Sequence, residues 1–235
     1  MAASTHRLDR LIAKSLTIGR SDTRLMLAQQ RIKIDGVLAH SVHQKVDHFS
    51  HIEVDGKTLQ KNTAHYVVLN KPKGVVSATK DDKNKTVIDL LDFPYKQQLH
   101  IVGRLDFNST GLLLLSNDSR WSEKLMLPGE KVAKHYRVSV SKKLDESYVE
   151  AFAKGIYFAF EDITTQAATL NILSDFEAEI ILTEGKYHQI KRMFAHFDNK
   201  VLSLHRTQVG RLILDPQLQA GESRELSAKE VADIF

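Results

Sequence analysis

The sequence predicts an α+β protein in two parts, a small amino-terminal α+β module followed by a larger, mostly antiparallel sheet with flanking helices. Three observations predict it. Strand-like apolar runs dominate after residue 65. In EAEIILT (177–183), Ala178, Ile180 and Leu182 alternate with Glu177, Glu179 and Ile181, as in a strand of a sheet buried on one face. The polar stretch KTLQKNTAH (57–65) breaks one pattern before another starts, so the units are expected at 1–60 and 61–235.

Taken in order, RLDRLIAKSL (7–16) repeats Leu8, Leu11, Ile12 and Leu16 at helical spacing, and SDTRLMLAQQ (21–30) opens with a Ser/Asp cap before Leu25, Met26 and Leu27. RIKIDGVLA and HIEVDGKTL each carry an Asp-Gly hairpin signal, at 35–36 and 55–56. From Tyr66 onward the expected strands are YVVLN, GLLLLS, HYRVSV, GIYFAF, AATLNIL, EAEIILTE and LSLHRTQVGRLIL. LDESYVEAFAKG (144–155) reads as a helix ending at Gly155, with Leu144, Tyr148, Val149 and Phe152 on one face. KYHQIKRMFAHF (186–197) reads as another, burying Ile190, Met193, Phe194 and Phe197 and leaving His188, Lys191, Arg192 and Ala195 on the opposite face.

Composition excludes several chemistries. The chain of 235 residues has no cysteine, which removes disulfides, thiolate metal sites, iron–sulfur clusters and cysteine nucleophiles together. The longest apolar run, GLLLL, is far short of the roughly 20 residues of a membrane span, and the amino end lacks a signal-peptide core, so a cytoplasmic protein without a membrane partner is expected. The net charge of +4 is unevenly spread. Residues 1–35 hold seven basic against three acidic groups, and residues 184–211 hold six against two with three histidines interspersed. Two such patches suit a phosphate-backbone partner, although a charge run is more often a solvated face. His40, His43, His48 and His51 lack the carboxylate or thiolate that would complete a zinc pattern, and no metal is assigned to them. Asn70-Lys71-Pro72-Lys73-Gly74 lacks the spacing of a nucleotide phosphate loop and reads as a turn leaving a strand. No long apolar heptad demands an oligomer, so a monomer is expected.

The candidate site is GRLDFNSTG (103–111). Two glycines bound a polar loop that sets Arg104 and Asp106 at the edge of the buried GLLLLS strand. A carboxylate so supported can act as nucleophile, base or ligand, with a nearby cation keeping it ionised. From the residues alone, an Arg–Asp pair that ties down the loop is the plainer reading.

GRLDFNSTGLLLLSND resembles the signature of the ribosomal RNA pseudouridine synthases of the RsuA/RluB/RluE/RluF family, and the likeness continues through LNKPKGVVSATKDD, KHYRVSV, EGKYHQIKRMF, LHRTQVGRLILD and GESREL. The amino-terminal segment is similar to the RNA-binding domain named after ribosomal protein S4. Ser119 stands where the family often has glycine, and Met1–His6 extend past its usual start and are expected to fray. The resemblance implies isomerisation of uridine to pseudouridine without cofactor or metal. It puts the catalytic carboxylate on Asp106, an active-site tyrosine that stacks on the uracil on Tyr136, and the cation paired with the carboxylate on Lys186. It also implies that Arg104 grips a phosphate or orients the loop, and that Gln189, Lys191 and Arg192 contact RNA or brace the site. The S4-like part is expected to meet RNA phosphates through Arg7, Arg20, Arg24 and Lys33. Within the family, YHQIKRMFAHFDNKVLSLHRTQVGRLILDPQLQAGE looks most like the member acting on 16S RNA, free or in a small-subunit assembly intermediate. Action on 23S RNA, and a non-catalytic assembly factor, are the rival readings.

Overall fold

The computed structural model describes residues 6–127, 130 and 132–235. Its backbone forms two compact units that divide between Ala64 and His65. Of the segment expected to fray, Met1–Thr5 lie outside the described residues, whereas His6 pairs with Val46 in a short antiparallel ladder.

In the first unit, strand β1 (His6–Arg7) leads into helices α1 (Leu8–Leu16) and α2 (Arg20–Ala28), followed by strands β2 (Ile32–Ile34), β3 (Val37–Leu38), β4 (Lys45–Val46), β5 (Ile52–Val54) and β6 (Lys57–Gln60). Strands β3-β2-β5-β6 form an antiparallel sheet. Its two hairpins turn at Asp35-Gly36 and Asp55-Gly56, all four residues having positive φ, the conformation that matches strand twist in two-residue loops. Leu8 and Ile12 pack with Ile32, Ile34, Val46, Ile52 and Val54 into the unit's own core. Helix α2 starts one residue before its expected Ser/Asp cap. Gly19 is the N-cap, and its amide donates to the Asp22 carboxylate (2.9 Å). Here the acidic side chain reaches back to an orphan amide from inside the first turn.

The second unit contains strands β7 (Tyr66–Lys71), β8 (His100–Val102) and β9 (Thr110–Ser116), helix α3 (Ser119–Met126), strand β10 (Lys134–Val140), helix α4 (Glu146–Lys154), strands β11 (Tyr157–Phe158), β12 (Ile163–Thr164), β13 (Thr169–Ser174) and β14 (Glu177–Leu182), helix α5 (Gln189–Ala195), strands β15 (Val201–Val209), β16 (Leu212–Ile213) and β17 (Ser223–Glu225), and helix α6 (Ala228–Asp233). Nine of these strands make one mixed sheet, with the path β13-β14-β10-β15-β9-β7-β17 and with β16 and β8 attached to β15 and β9. Only the β15–β9 pairing is parallel. The fold is therefore α+β and mostly antiparallel.

Sequence period explains the layers. Along β9, Leu113 and Leu115 join Val67, Leu69, Val138 and the helix residues Phe152 and Phe194 on one face, whereas Leu112 and Leu114 join Val68, Trp121 and Leu125 on the other. A strand covered on both faces reads as a continuous leucine run. The expected strand GIYFAF is shorter than its composition suggests, because only Tyr157 and Phe158 pair before the chain turns, leaving Phe160 95% exposed. Helix α5 also starts later than expected. His188 takes a left-handed conformation (φ 49°) immediately before it.

Candidate active site

The loop between β8 and β9 carries Asp106, and Ser77, Gly74, Lys71 and Arg206 hold that loop. Ser77 Oγ donates to the Leu105 carbonyl (2.7 Å) and accepts from the Leu105 amide (3.1 Å). The Gly74 amide donates to the Phe107 carbonyl (2.8 Å), and Lys71 Nζ donates to the Ser109 carbonyl (2.9 Å). Arg206, on β15 and 3% exposed, spans the two ends: Nη2 donates to the Gly103 carbonyl (2.8 Å) and Nε to the Leu112 carbonyl (2.7 Å). Buried Leu105 anchors the middle. The parallel contact beside the loop requires Gly111, where a Cβ would stand 2.3 Å from the Arg206 carbonyl oxygen and φ is +102°.

The carboxylate so placed is about one quarter exposed and meets two cationic side chains. Lys191 Nζ lies 3.0 Å from Oδ2, and His188 Nε2 lies 3.1 Å from Oδ1. Lys186 does not occupy the place expected for it: its Nζ lies 3.4 Å from Glu184. The two residues before His188 carry Lys186 toward that buried carboxylate, and the first helical turn brings Lys191 to Asp106 instead. Behind the loop, Lys71 is fully buried, and burial lowers its pKa to about 8, with Asp106 acting in the opposite sense and Lys191 in the same. This is no simple turn lysine.

Tyr136 lies on β10, 9% exposed, and lines a cleft of about 90 Å³ together with Arg104, Asp106, Ser109, Lys186, His188 and Lys191. Its hydroxyl accepts from Arg206 Nη1 (3.4 Å). Ser109 is buried beside them with no hydrogen-bond partner for its hydroxyl among the described residues. Arg104 is exposed at the mouth and makes no ion pair among the described residues.

Of the residues expected as RNA contacts or as braces of the site, Gln189 and Arg192 are bonded within the protein, as braces would be. Gln189 is buried, donates to Glu184 (2.6 Å) and accepts from the Lys186 amide (2.9 Å), so it braces the loop 184–189. Arg192 forms a bidentate pair with Glu161 and covers the Phe158 ring, 3.7 Å from its centroid. In the first unit, Arg20, Arg24 and Lys33 are exposed. Arg7 is not free: it pairs with buried Asp9 (2.7 Å), whose carboxyl it holds below the usual range. Sequence reading left out His188, Lys71 and Arg206 as site residues. Each stood inside a quoted motif, but only their three-dimensional partners distinguish them from solvated charges.

A family model described as RNA pseudouridylate synthase matches residues 65–196, a span that includes Asp106, Tyr136 and Lys191. The chain belongs to the RNA pseudouridylate synthase family. Among similar curated proteins, the ribosomal small subunit pseudouridine synthase A of Pseudomonas aeruginosa is 44% identical over 229 residues, covering 97% of this chain and 100% of that protein. The protein of the same description from Vibrio cholerae is 38% identical over 97% of this chain and 99% of its own length. A solved structure described as a pseudouridylate synthase superposes with a TM-score of 0.71 at 35% identity, covering 97% of this chain and 99% of the other. In this pseudouridylate synthase, then, every residue lining the cleft except Leu204 falls in the matched region, and Asp106 is the only carboxylate among the described residues that line it.

Proposed function

We propose that the protein isomerises a uridine of 16S ribosomal RNA to pseudouridine, using Asp106 and no cofactor, as a cytoplasmic monomer acting on RNA or on a small-subunit assembly intermediate. The observation that supports it most is the single carboxylate of the cleft, with its two cations and a tyrosine beside it. Hydrolysis of a glycosidic bond ordinarily uses two carboxylates, one to protonate the leaving oxygen and one to engage water. In the isomerisation uracil departs as a resonance-stabilised anion and returns through carbon 5, so one carboxylate suffices. The exchange consumes no oxidant or reductant.

Asp106 can act by attacking the anomeric carbon as the bond to N1 breaks, or by taking the 2′ proton to leave a glycal. In the first route carbon 5 of the turned uracil displaces the Asp106 ester from the anomeric carbon, and in the second it adds to the glycal at that carbon while Asp106 returns its proton to the 2′ carbon; in both, the proton on carbon 5 is lost and N1 takes up a proton, so the product is an isomer of the substrate. Lys191 and His188, 3.0 and 3.1 Å from its oxygens, hold the carboxylate in position. Tyr136 supplies a ring for the uracil, and its nearly buried position beside Arg206 excludes water from the turning base. Arg104, exposed at the mouth, meets a phosphate of the extruded nucleotide.

The amino-terminal unit is read as an S4-like RNA-binding domain whose exposed Arg20, Arg24 and Lys33 meet phosphates. The 16S assignment draws on the relatives described as small-subunit synthases at near-full coverage. The test is to incubate the protein separately with unmodified 16S and 23S transcripts and with small-subunit assembly intermediates, and to map pseudouridine chemically. One new pseudouridine in 16S RNA is expected. Conversion in 23S alone would overturn the substrate assignment, and conversion in none would overturn the reaction.

A further inference from the structure

The loop that carries His188 also turns a second ring outward. Tyr187 is 70% exposed, and its ring lies nearly parallel to that of His188, with centroids 4.0 Å apart and planes 17° apart. His188 in turn touches Asp106 at 3.1 Å. The ring pair therefore begins at the carboxylate and ends in solvent. It is also held in place, since the Gln189 amide donates to the Lys186 carbonyl (3.2 Å), the Gln189 side chain is locked to Glu184, and Arg192 Nη1 reaches the Tyr187 carbonyl (3.4 Å). The imidazole lies against one face of the Tyr187 ring.

We infer that the Tyr187–His188 pair is a stacking platform for the base of the nucleotide next to the isomerised uridine. The inference rests on the proposed synthase reaction at Asp106. Extruding a uridine takes a stacking partner from its neighbour, and an ordered aromatic ring beside the cleft restores one for any base, because every base has a π face. A ring already fixed by its loop loses little freedom on binding. The charge around it selects a nucleotide over an apolar side chain: Arg104, Lys186 and Lys191 all line the adjoining cleft, which suits a phosphodiester on either side of a stacked base.

The test uses the full-length protein and the 16S fragment it converts, with three forms of that RNA: intact, and with an abasic nucleotide immediately 5′ or 3′ of the target. Y187A should raise KM for the intact RNA by roughly fivefold to a hundredfold with a smaller change in kcat, and Y187F should restore most of the loss because it keeps the ring. One of the two abasic substitutions should cost the wild-type protein a comparable factor and cost Y187A almost nothing further. A Y187A protein with wild-type KM, or equal abasic penalties in both proteins at both neighbours, would overturn the platform while leaving the reaction intact. Failure of the wild-type protein to convert any uridine would overturn the reaction and the platform together. Because Tyr187 is exposed, Y187A is expected to fold, and an unchanged thermal midpoint checks this.

Discussion

Asp106 lies between two cations that differ in kind. Lys191 reaches one carboxylate oxygen with an ammonium group at 3.0 Å, whereas His188 reaches the other with an imidazole nitrogen at 3.1 Å. Because Lys191 Nζ lies 3.0 Å from the carboxylate, K191M is expected to lower kcat by roughly tenfold to a hundredfold, about 1.4–2.8 kcal/mol in the barrier, with little change in the thermal midpoint. K186M, which removes a partner of Glu184 rather than of Asp106, should cost distinctly less. Steady-state kinetics of the two variants on one RNA checks the order, and a larger loss in K186M would restore the pairing expected from the motif. The difficulty of choosing between the two lysines in advance is physical. Both stand in EGKYHQIKR, and a helix drawn from Lys186 would place them nearly a turn and a half apart. The left-handed backbone at His188 starts the helix later and decides which lysine faces the loop. Lys71 and Arg206 were hidden for a related reason: a buried cation is identified by the carbonyls it reaches, and those lie 38 and 94 or more residues away in sequence.

Elements with a strong period were readable, and those set by a single backbone event were not. In β14, Ala178, Ile180 and Leu182 are buried as their alternation predicts, and α5 buries Ile190, Met193 and Phe194 at the expected spacing. The Asp-Gly pairs marked both hairpins of the first unit, because two successive positive φ angles leave few residue choices. The capping of α6 is a further element-scale feature. Ser227 accepts from the Glu230 amide (3.2 Å), Glu230 returns the contact to the Ser227 amide (2.8 Å), and Arg224 pairs with the same carboxylate (2.7 Å). The Arg224 hydrogen bond, with the Ser227 bonds, holds the Glu230 pKa at about 2 against an ordinary 4.5. A carboxyl depressed in the folded state stabilises above its unfolded pKa and loses that contribution as pH falls through the folded one. E230Q is therefore expected to destabilise by about 1–2 kcal/mol at pH 7, and its thermal midpoint should converge on the wild-type value as pH falls from 4.5 toward 2. A difference that stays constant over that range would show that the charge contributes nothing.

Over the whole molecule, the chain forms two units with separate cores. The first unit has its own apolar cluster around Leu8, Ile12 and Ile52, and the second builds its clusters on both faces of the nine-stranded sheet. Removal of residues 1–64 should therefore leave the second unit folded by circular dichroism. It should also reduce the salt dependence of RNA binding: if Arg20, Arg24 and Lys33 each neutralise a phosphate, the slope of log K against log salt becomes shallower by about two to three units. Equal slopes for the two proteins would place the phosphate contacts elsewhere. The most direct measurement, however, is single-turnover conversion of 16S RNA by D106N, a substitution that keeps the size of the side chain and removes its charge. The predicted result is a rate at least about 10³-fold below wild type with RNA affinity and thermal midpoint preserved. A D106N protein that forms pseudouridine at a rate near that of the wild type would contradict the account.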